Sequence, residues 1–355
     1  MIVHIFNNQR KFSLGFFRFL HDRGFDLSDT AVYHYGKPGN DFDACGVRPR
    51  FLRSWFWPFG HLRMYRDLKK ADRIVIHSLA SPFLIAMLRW NRSLCGKVWW
   101  VIWGKDLYLY HLSEKKPLPL KMYEAFRRPV MRDIAHIVAT MREDYDLARE
   151  WYGAKADFTP CYELYPYADD YGDGAPARCA EGKLTLLLGN SASRTNEHLD
   201  AIDLLASKTE NIRKVFCPLS YGGSRRYAER VRNHGREALG DLFEPLMDYL
   251  PFEEYKKIWE STDVGVFNQK RQEALGNIFS LIMKKRTVYL RPDMPMSRFF
   301  ARLGVVTPAL DREGAIRELP ADVREKNAAT LLEYIHPDRS AETWKQILEG
   351  GGTTA

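Results

Sequence analysis

The chain has 355 residues, 45% hydrophobic and 13% aromatic, which excludes a disordered protein and leaves room for two domains, each with its own core. The formal charge of +8 is concentrated: Arg48 to Arg132 carries 18 Lys and Arg against 5 Asp and Glu, a local balance of +13, so the rest sums to −5. No run approaches the roughly 18 to 20 apolar residues of a membrane span. The five cysteines (Cys45, Cys95, Cys161, Cys179, Cys217) are widely spaced and suggest neither a disulfide framework nor a zinc site.

In chain order, short apolar runs alternate with helical patterns, the signature of a parallel sheet with crossover helices. The opening Met1-Ile2-Val3-His4-Ile5-Phe6 lacks the regions of a secretory leader and reads as the first core strand of a cytosolic protein. Further strands are expected at Ala31 to Tyr35, Arg73 to His77, Val98 to Trp103, His136 to Thr140 and Tyr162 to Tyr165. The polar residues after these runs, among them Asn7-Asn8, His77-Ser78 and Gly104-Lys105-Asp106, would line the sheet edge where open α/β sheets bind ligands. Asp106 and His77 are alternative general bases for an acceptor hydroxyl, and a purely structural role stands beside each.

Between the second and third of these strands, Arg50 to Arg63 crowds cations and rings together, with Arg53, Trp55, Trp57 and Arg63 prominent. A second basic segment holds Lys115, Lys116, Lys121, Arg127, Arg128 and Arg132. Rings beside cations suit an anionic membrane surface, where aromatics sit at headgroup depth and basic groups meet lipid phosphate. The alternative is that the rings pack inward and the cations are solvated. No nucleic-acid motif accompanies the charge, so no nucleic-acid partner is expected. The D-x-D at Asp41-Phe42-Asp43 lies far before any nucleotide-type turn and reads as surface, and metal-dependent hydrolysis has no supporting motif.

Gly, Pro and Asp between Ala168 and Lys183 mark an interdomain linker, which divides the chain into residues 1–175 and 176–355. Strands are expected again at Leu184 to Leu188, Lys214 to Leu219, Leu242 to Leu246, Val264 to Phe267 and Thr287 to Leu290. Helices are expected at 196–207, 223–238, 252–260 and 275–285, and Ala321 to Glu349 is helix-like.

Two stretches of the second half carry candidate chemistry. Leu184-Thr185-Leu186-Leu187-Leu188 breaks at Gly189 into Asn190, Ser191, Ser193, Arg194, Thr195, Asn196 and Glu197, which reads as a strand, a tight turn and a helix start. Helix amides and Arg194 would suit a diphosphate, and an ordinary βα turn is the competing reading. After Val264 to Phe267, Arg271 suits a diphosphate by its planar donors, Gln272 or Glu273 would accept from ribose hydroxyls, and Gly276 with Asn277 opens a helix, with a solvated loop as the competing reading. Tyr221, beside Gly222 and Gly223, can stack on a base or simply form a turn.

Trp100-Val101-Ile102-Trp103-Gly104-Lys105-Asp106-Leu107-Tyr108, the block Leu188 to His198, and Arg271-Gln272 with Gly276 together resemble the bacterial 4-acetamido-4,6-dideoxygalactose transferases of glycosyltransferase family 56. The resemblance runs through most of the chain, with departures at Ala274, Leu275 and Asn277 and in the aromatic segment near Trp55. It implies a GT-B architecture: two Rossmann-like domains with parallel sheets facing across a cleft, an N-terminal acceptor-binding, membrane-facing domain and a C-terminal donor domain that includes the last helices. It further implies a dTDP-sugar donor, no catalytic metal, a polyprenyl-diphosphate-linked saccharide as acceptor, and a peripheral location on the cytoplasmic face of the bacterial inner membrane. A fucosyl or heptosyl donor, or a non-catalytic nucleotide or lipid-carrier binding protein, are the alternatives.

Overall fold

The structure is a computed structural model that describes residues 1–7, 10–36, 42, 45–52, 58–113, 115–161 and 182–350. The chain forms two compact units, Met1–Pro166 with Ile335–Ala355, and Tyr167–Tyr334.

The first unit is built on a seven-stranded parallel sheet. Its strands are β1 (Ile2–Phe6), β2 (Thr30–Tyr35), β3 (Arg50–Leu52), β4 (Arg73–His77), β5 (Val98–Val101), β6 (His136–Ala139) and β7 (Asp157–Pro160), in the order β3-β2-β1-β4-β5-β6-β7. Connecting helices are α1 (Arg10–Asp22), α2 (Pro58–Lys70), α3 (Pro82–Trp90), the short α4 (Lys105–Tyr108), α5 (Leu118–Asp133) and α6 (Arg142–Tyr152). Successive residues of β4 point to opposite faces: Ile74 and Ile76 join the core under α2, α3, α5 and α6, whereas Val75 joins a second core with Phe16, Phe17 and Leu20 of α1.

The last helix completes that second core. Among the helices that follow its strands, α1 alone supplies this face, and α13 (Pro337–Glu349) lays Trp344 and Ile347 against it. The Trp344 ring meets Phe16 at 4.6 Å, Thr343 Oγ1 donates to the Pro160 carbonyl, and Arg73 Nη1 donates to the Ile347 carbonyl. The C-terminal helix was expected with the donor half, and it packs instead on the first unit because buried apolar surface there needs a cover.

The second unit has a five-stranded parallel sheet in the order β10-β9-β8-β11-β12. The strands are β8 (Leu184–Leu188), β9 (Ile212–Pro218), β10 (Phe243–Leu246), β11 (Val264–Phe267) and β12 (Thr287–Leu290), and all five β8 residues are buried. The helices are α7 (His198–Ala206), α8 (Arg225–Leu239), α9 (Phe252–Glu260), α10 (Leu275–Met283), α11 (Pro295–Leu303) and α12 (Ala321–Tyr334).

Most expected strands agree with the structure to within a few residues. β3 and β7 were not anticipated, and the expected strand at Tyr162 to Tyr165 and most of the linker lie outside the described residues. Among the described residues no helix is long and apolar enough to cross a membrane.

Candidate functional site

In each sheet the strand order reverses beside the first strand of the unit, at β1/β4 and at β8/β11. Ligands of open α/β sheets bind outside the carboxyl ends of the strands at such a switch point.

At β8, the chain turns through Gly189 at φ +67°, with its N–H donating to the Val266 carbonyl of β11. A Cβ there would stand 3.0 Å from both Asn196 Oδ1 and His198 Nε2. The left-handed backbone and these close side chains already account for a glycine here. Asn196 is buried: its Nδ2 donates to the Ser191 carbonyl and its Oδ1 accepts from Gln269 Nε2 at 3.3 Å. Ser191 is buried as well, so these two expected ligand contacts brace the loop.

The helix after this turn starts later than its pattern suggests. Arg194–Asn196 form one turn of 3₁₀ helix, Glu197 is left-handed at φ 49°, and α7 begins at His198. Around the α7 N-terminus, Asn268 Nδ2 donates to the Glu197 carbonyl and to Asp200, and Arg291 pairs with Asp200 at 2.9 Å. Glu197 itself pairs with Lys270 at 2.9 Å. With two carboxylates at its positive end, each paired with a cation, α7 is less suited to a further anion than a helix end without them.

α10 presents the opposite arrangement. Its cap residue, Ala274, is left-handed at φ 61° and offers no side-chain hydrogen bond, and the first turn holds no acidic residue. A Cβ on Gly276 would meet nothing within 4 Å. With no acidic residue in its first turn, the Glu273 carboxylate ahead of its cap paired with Arg271, and open space over Gly276, the α10 start is the better placed of the two helix ends to receive an anion.

The surrounding loops are tied together. Arg271 donates through Nη2 to Glu273 at 2.7 Å, through Nε to Thr195 Oγ1 at 3.2 Å and through Nη1 to the Gln272 carbonyl, while Thr195 Oγ1 donates to the other Glu273 oxygen. Burial raises the Glu273 carboxyl pKa, opposed by the Arg271 charge. Arg271 is thus a strut between the β8 and β11 loops, a role the sequence did not disclose. The β9 loop nests on the same ground: a Cβ on Gly223 would fall 1.8 Å from the Ala192 carbonyl oxygen, and Ala192 N–H donates to the Tyr221 carbonyl at 2.7 Å. This holds Tyr221 half-exposed, its hydroxyl hydrogen-bonded to Asn190 and its pKa raised by burial. Asn277 hydrogen-bonds Tyr255 of α9, whose pKa burial also raises. Tyr255 was not anticipated, because an amphipathic helix offers no sign of which ring joins a site. Arg194 is exposed, its guanidinium 5.5 Å from the Tyr227 ring centre. Three buried oxygens in these loops, Asn190 Oδ1, Gln269 Oε1 and Gln272 Oε1, have no hydrogen-bond partner within the protein. Asn190 and Gln272 are partly exposed and can accept from the hydroxyl or N–H donors of a ligand, whereas Gln269 is as enclosed as Asp106.

Among the described residues, the polar groups at the first unit's switch point are enclosed. Asn7 Nδ2 donates to the Ser78 carbonyl at 2.7 Å, which helps hold Ser78 left-handed at φ 72°. Asp106 is 1% exposed and accepts from Trp100 Nε1 at 2.7 Å, Leu79 N–H at 2.9 Å and Trp103 N–H at 3.2 Å. Burial raises its pKa against those bonds. His77 is 0% exposed, stacked on Phe6 at 3.8 Å and hydrogen-bonded to His4 at 3.2 Å, and burial drives its pKa well below the usual value. Neither is open to a substrate, so both base assignments give way to structural ones.

The basic residues divide. Lys115, Lys116 and Arg63 are exposed and Arg128 is partly exposed. Arg127, expected on a membrane face, is fully buried, donating to Glu124, the Asp106 carbonyl and the Tyr152 hydroxyl. Arg53, Trp55 and Trp57 lie outside the described residues. Among the described residues no cluster of three or more His, Cys, Asp or Glu could hold a metal ion.

Two parallel-sheet α/β units place the chain in the GT-B class of glycosyltransferases, and solved structures agree. A glycosyltransferase from Rickettsia africae superposes with a TM-score of 0.65 at 12% identity, covering 99% of each chain. HepE from Anabaena, solved with UDP and glucose, gives 0.65 at 10% identity over 98% of this chain and 99% of that one. The UDP-forming α,α-trehalose-phosphate synthase of Burkholderia xenovorans gives 0.61 at 10% over 99% of each. Residues 66–298 match the family model described as 4-alpha-L-fucosyltransferase, glycosyl transferase group 56, and the chain belongs to that family.

Proposed function

We propose that this glycosyltransferase takes a deoxy-amino sugar from a dTDP donor held by the second unit and passes it to a polyprenyl-diphosphate-linked saccharide held by the first. The observation that carries the donor assignment is the α10 start: a positive helix end with no acidic residue in its first turn, open space over Gly276, and unpartnered acceptors on the partly exposed Asn190 and Gln272 in the adjoining loops. HepE, of the same fold, is described with UDP and glucose, which supports a nucleoside-diphosphate sugar as the donor class. The family's description as a fucosyltransferase supports a deoxy sugar.

In the reaction the bond between sugar C1 and the diphosphate oxygen breaks, the acceptor oxygen bonds C1, and the acceptor proton leaves to a base. The α10 amides offset the charge that develops on the departing diphosphate. Arg194 is exposed on the loop after β8 and supplies a countercharge, whereas Arg271 supports the cradle through Glu273 and Thr195. The acceptor's lipid carrier places the enzyme peripherally at the cytoplasmic face of the inner membrane, and the +13 balance of Arg48 to Arg132 supports an anionic surface as partner.

Calorimetry with dTDP, UDP and GDP, followed by a transfer assay with the corresponding sugars and a lipid-linked acceptor, tests this reading. dTDP is expected to bind most tightly, and Arg194→Ala to weaken it by about tenfold, the loss of one charge-assisted contact. Binding of none of the three nucleotides would sink the donor assignment, and dTDP binding without transfer of any sugar would sink the acceptor assignment.

A further inference from the structure

We infer that α5 is a bilayer-docking helix whose outward stripe inserts among the lipids of an anionic membrane. The helix buries Val130 and Met131 in the core near its end, but its earlier turns depart from an ordinary surface helix. Its inward face carries an ion pair, Glu124 with Arg127 at 2.6 Å, both fully enclosed. Its outward face carries Leu118, Met122 and Phe126 at four-residue spacing, 69%, 64% and 36% exposed. A helix of a globular protein turns its apolar stripe to the core and its charges to water. Here the charges are held inside by specific acceptors, the Asp106 carbonyl and the Tyr152 hydroxyl, and the apolar stripe is left on the surface.

Trp90, at the end of α3, is 80% exposed, and its ring lies 6.2 Å from Phe126, so the stripe continues onto the neighbouring helix. Among the described residues of the helix and its lead-in, the exposed charges are cationic. Lys115, Lys116, Lys121 and Arg132 are exposed, while both described acidic residues of the helix are engaged, Glu124 by Arg127 and Asp133 by Arg92. An apolar stripe tipped with an indole and rimmed by cations matches the interface of an anionic bilayer, where apolar side chains enter the acyl boundary and lysines meet lipid phosphate. Patches of this kind on monomeric proteins mark interaction sites. The inference rests on the peripheral-membrane reading above, which it narrows to one helix. It also relocates the contact, since Arg127 is interior and Leu118, Met122, Phe126 and Trp90 were not in the expected set.

The test is flotation of the full chain with phosphatidylcholine vesicles, with and without phosphatidylglycerol. The protein is expected to float with the anionic vesicles and to be released by salt. Met122→Asp with Phe126→Asp is expected to lower the partition coefficient about tenfold or more. Lys115→Glu, Lys116→Glu and Lys121→Glu are each expected to lower it about fivefold or more. Because these side chains point outward, the melting temperature should hold in every variant. Unchanged flotation of the folded variants would overturn the inference, as would failure of the native chain to float. A third overturning result is sedimentation velocity showing that the stripe joins two copies of the chain and that Met122→Asp with Phe126→Asp separates them without loss of flotation. Flotation uses neither donor nor acceptor, so its failure is separate from a failure of nucleotide binding or sugar transfer.

Discussion

At the β1/β4 switch point the polar side chains look inward: Asp106 accepts three N–H groups, His77 pairs with His4, and Asn7 holds Ser78. At the β8/β11 switch point the loops are equally well braced, by Arg271, Asn196 and the Gly223 contact, yet three side-chain oxygens and the α10 helix end are left unmatched by the protein. Both sheets obey the same topological rule and both leave buried polar atoms unpartnered, but those on His4 and His77 belong to fully enclosed rings, whereas Asn190 and Gln272 are partly exposed. A switch point marks where a site can be, and unsatisfied groups that are also partly exposed favour the second unit's.

The comparison breaks most visibly at Asp106. Asp106→Asn replaces an oxygen that accepts N–H with an amide that opposes one, and is expected to destabilise the first unit by about 2–3 kcal/mol. In thermal unfolding the first unit's transition should fall while kcat of the folded fraction holds. A large loss of kcat at full stability would return Asp106 to the chemistry.

His77 gives a somewhat smaller effect, visible in acid. His77 is neutral in the fold, its pKa well below the ordinary 6.5, and an unfolded histidine takes up a proton as the pH falls below that value. Its stability contribution is therefore fully present above about pH 6.5 and is lost as the pH drops from there towards the folded pKa. Between pH 7 and pH 5, His77→Phe should lose about 2 kcal/mol less than the native chain in denaturant unfolding. The same acid loss in both would show that His77 is protonated in the folded state.

The smallest expected effect has the opposite sign, and it sharpens the contrast. Gly276 lies in the first turn of α10 with no neighbour for a Cβ, so Gly276→Ala should stabilise the second unit by about 0.5 kcal/mol or more. The added methyl enters the space assigned to the donor diphosphate, so dTDP affinity should fall even as the melting temperature rises. Equal or tighter binding would move the donor away from α10.

Much of this was legible in the residues. The alternation of apolar runs and helical patterns located most strands, because strands buried on both faces show as unbroken apolar stretches such as Leu184 to Leu188. Arg50–Leu52 was missed because three residues, two only partly buried, have no period to read. The site was half legible. Gly189, Ser191, Asn196, Tyr221, Arg271 and Gln272 do lie on loops at the strand ends, but sequence could not separate those that brace the loops from those that face outward. Asn196 and Arg271 proved to be braces through Gln269, Thr195 and Glu273, partners remote in sequence from at least one of the two loops they join.

By itself the sequence determined the class of fold, the order of its elements, the basic character of the first unit and the blocks that relate the chain to its family, because periodicity, charge and local motifs are properties of adjacent residues. Tertiary structure alone decided which helix end is open to an anion, that α13 returns to cover the first sheet, and that Arg127 points inward while Leu118, Met122 and Phe126 point out. Each of those depends on what a distant segment brings to the same place: Asn268 and Arg291 to α7, a bare sheet face to α13, and the Asp106 carbonyl to Arg127.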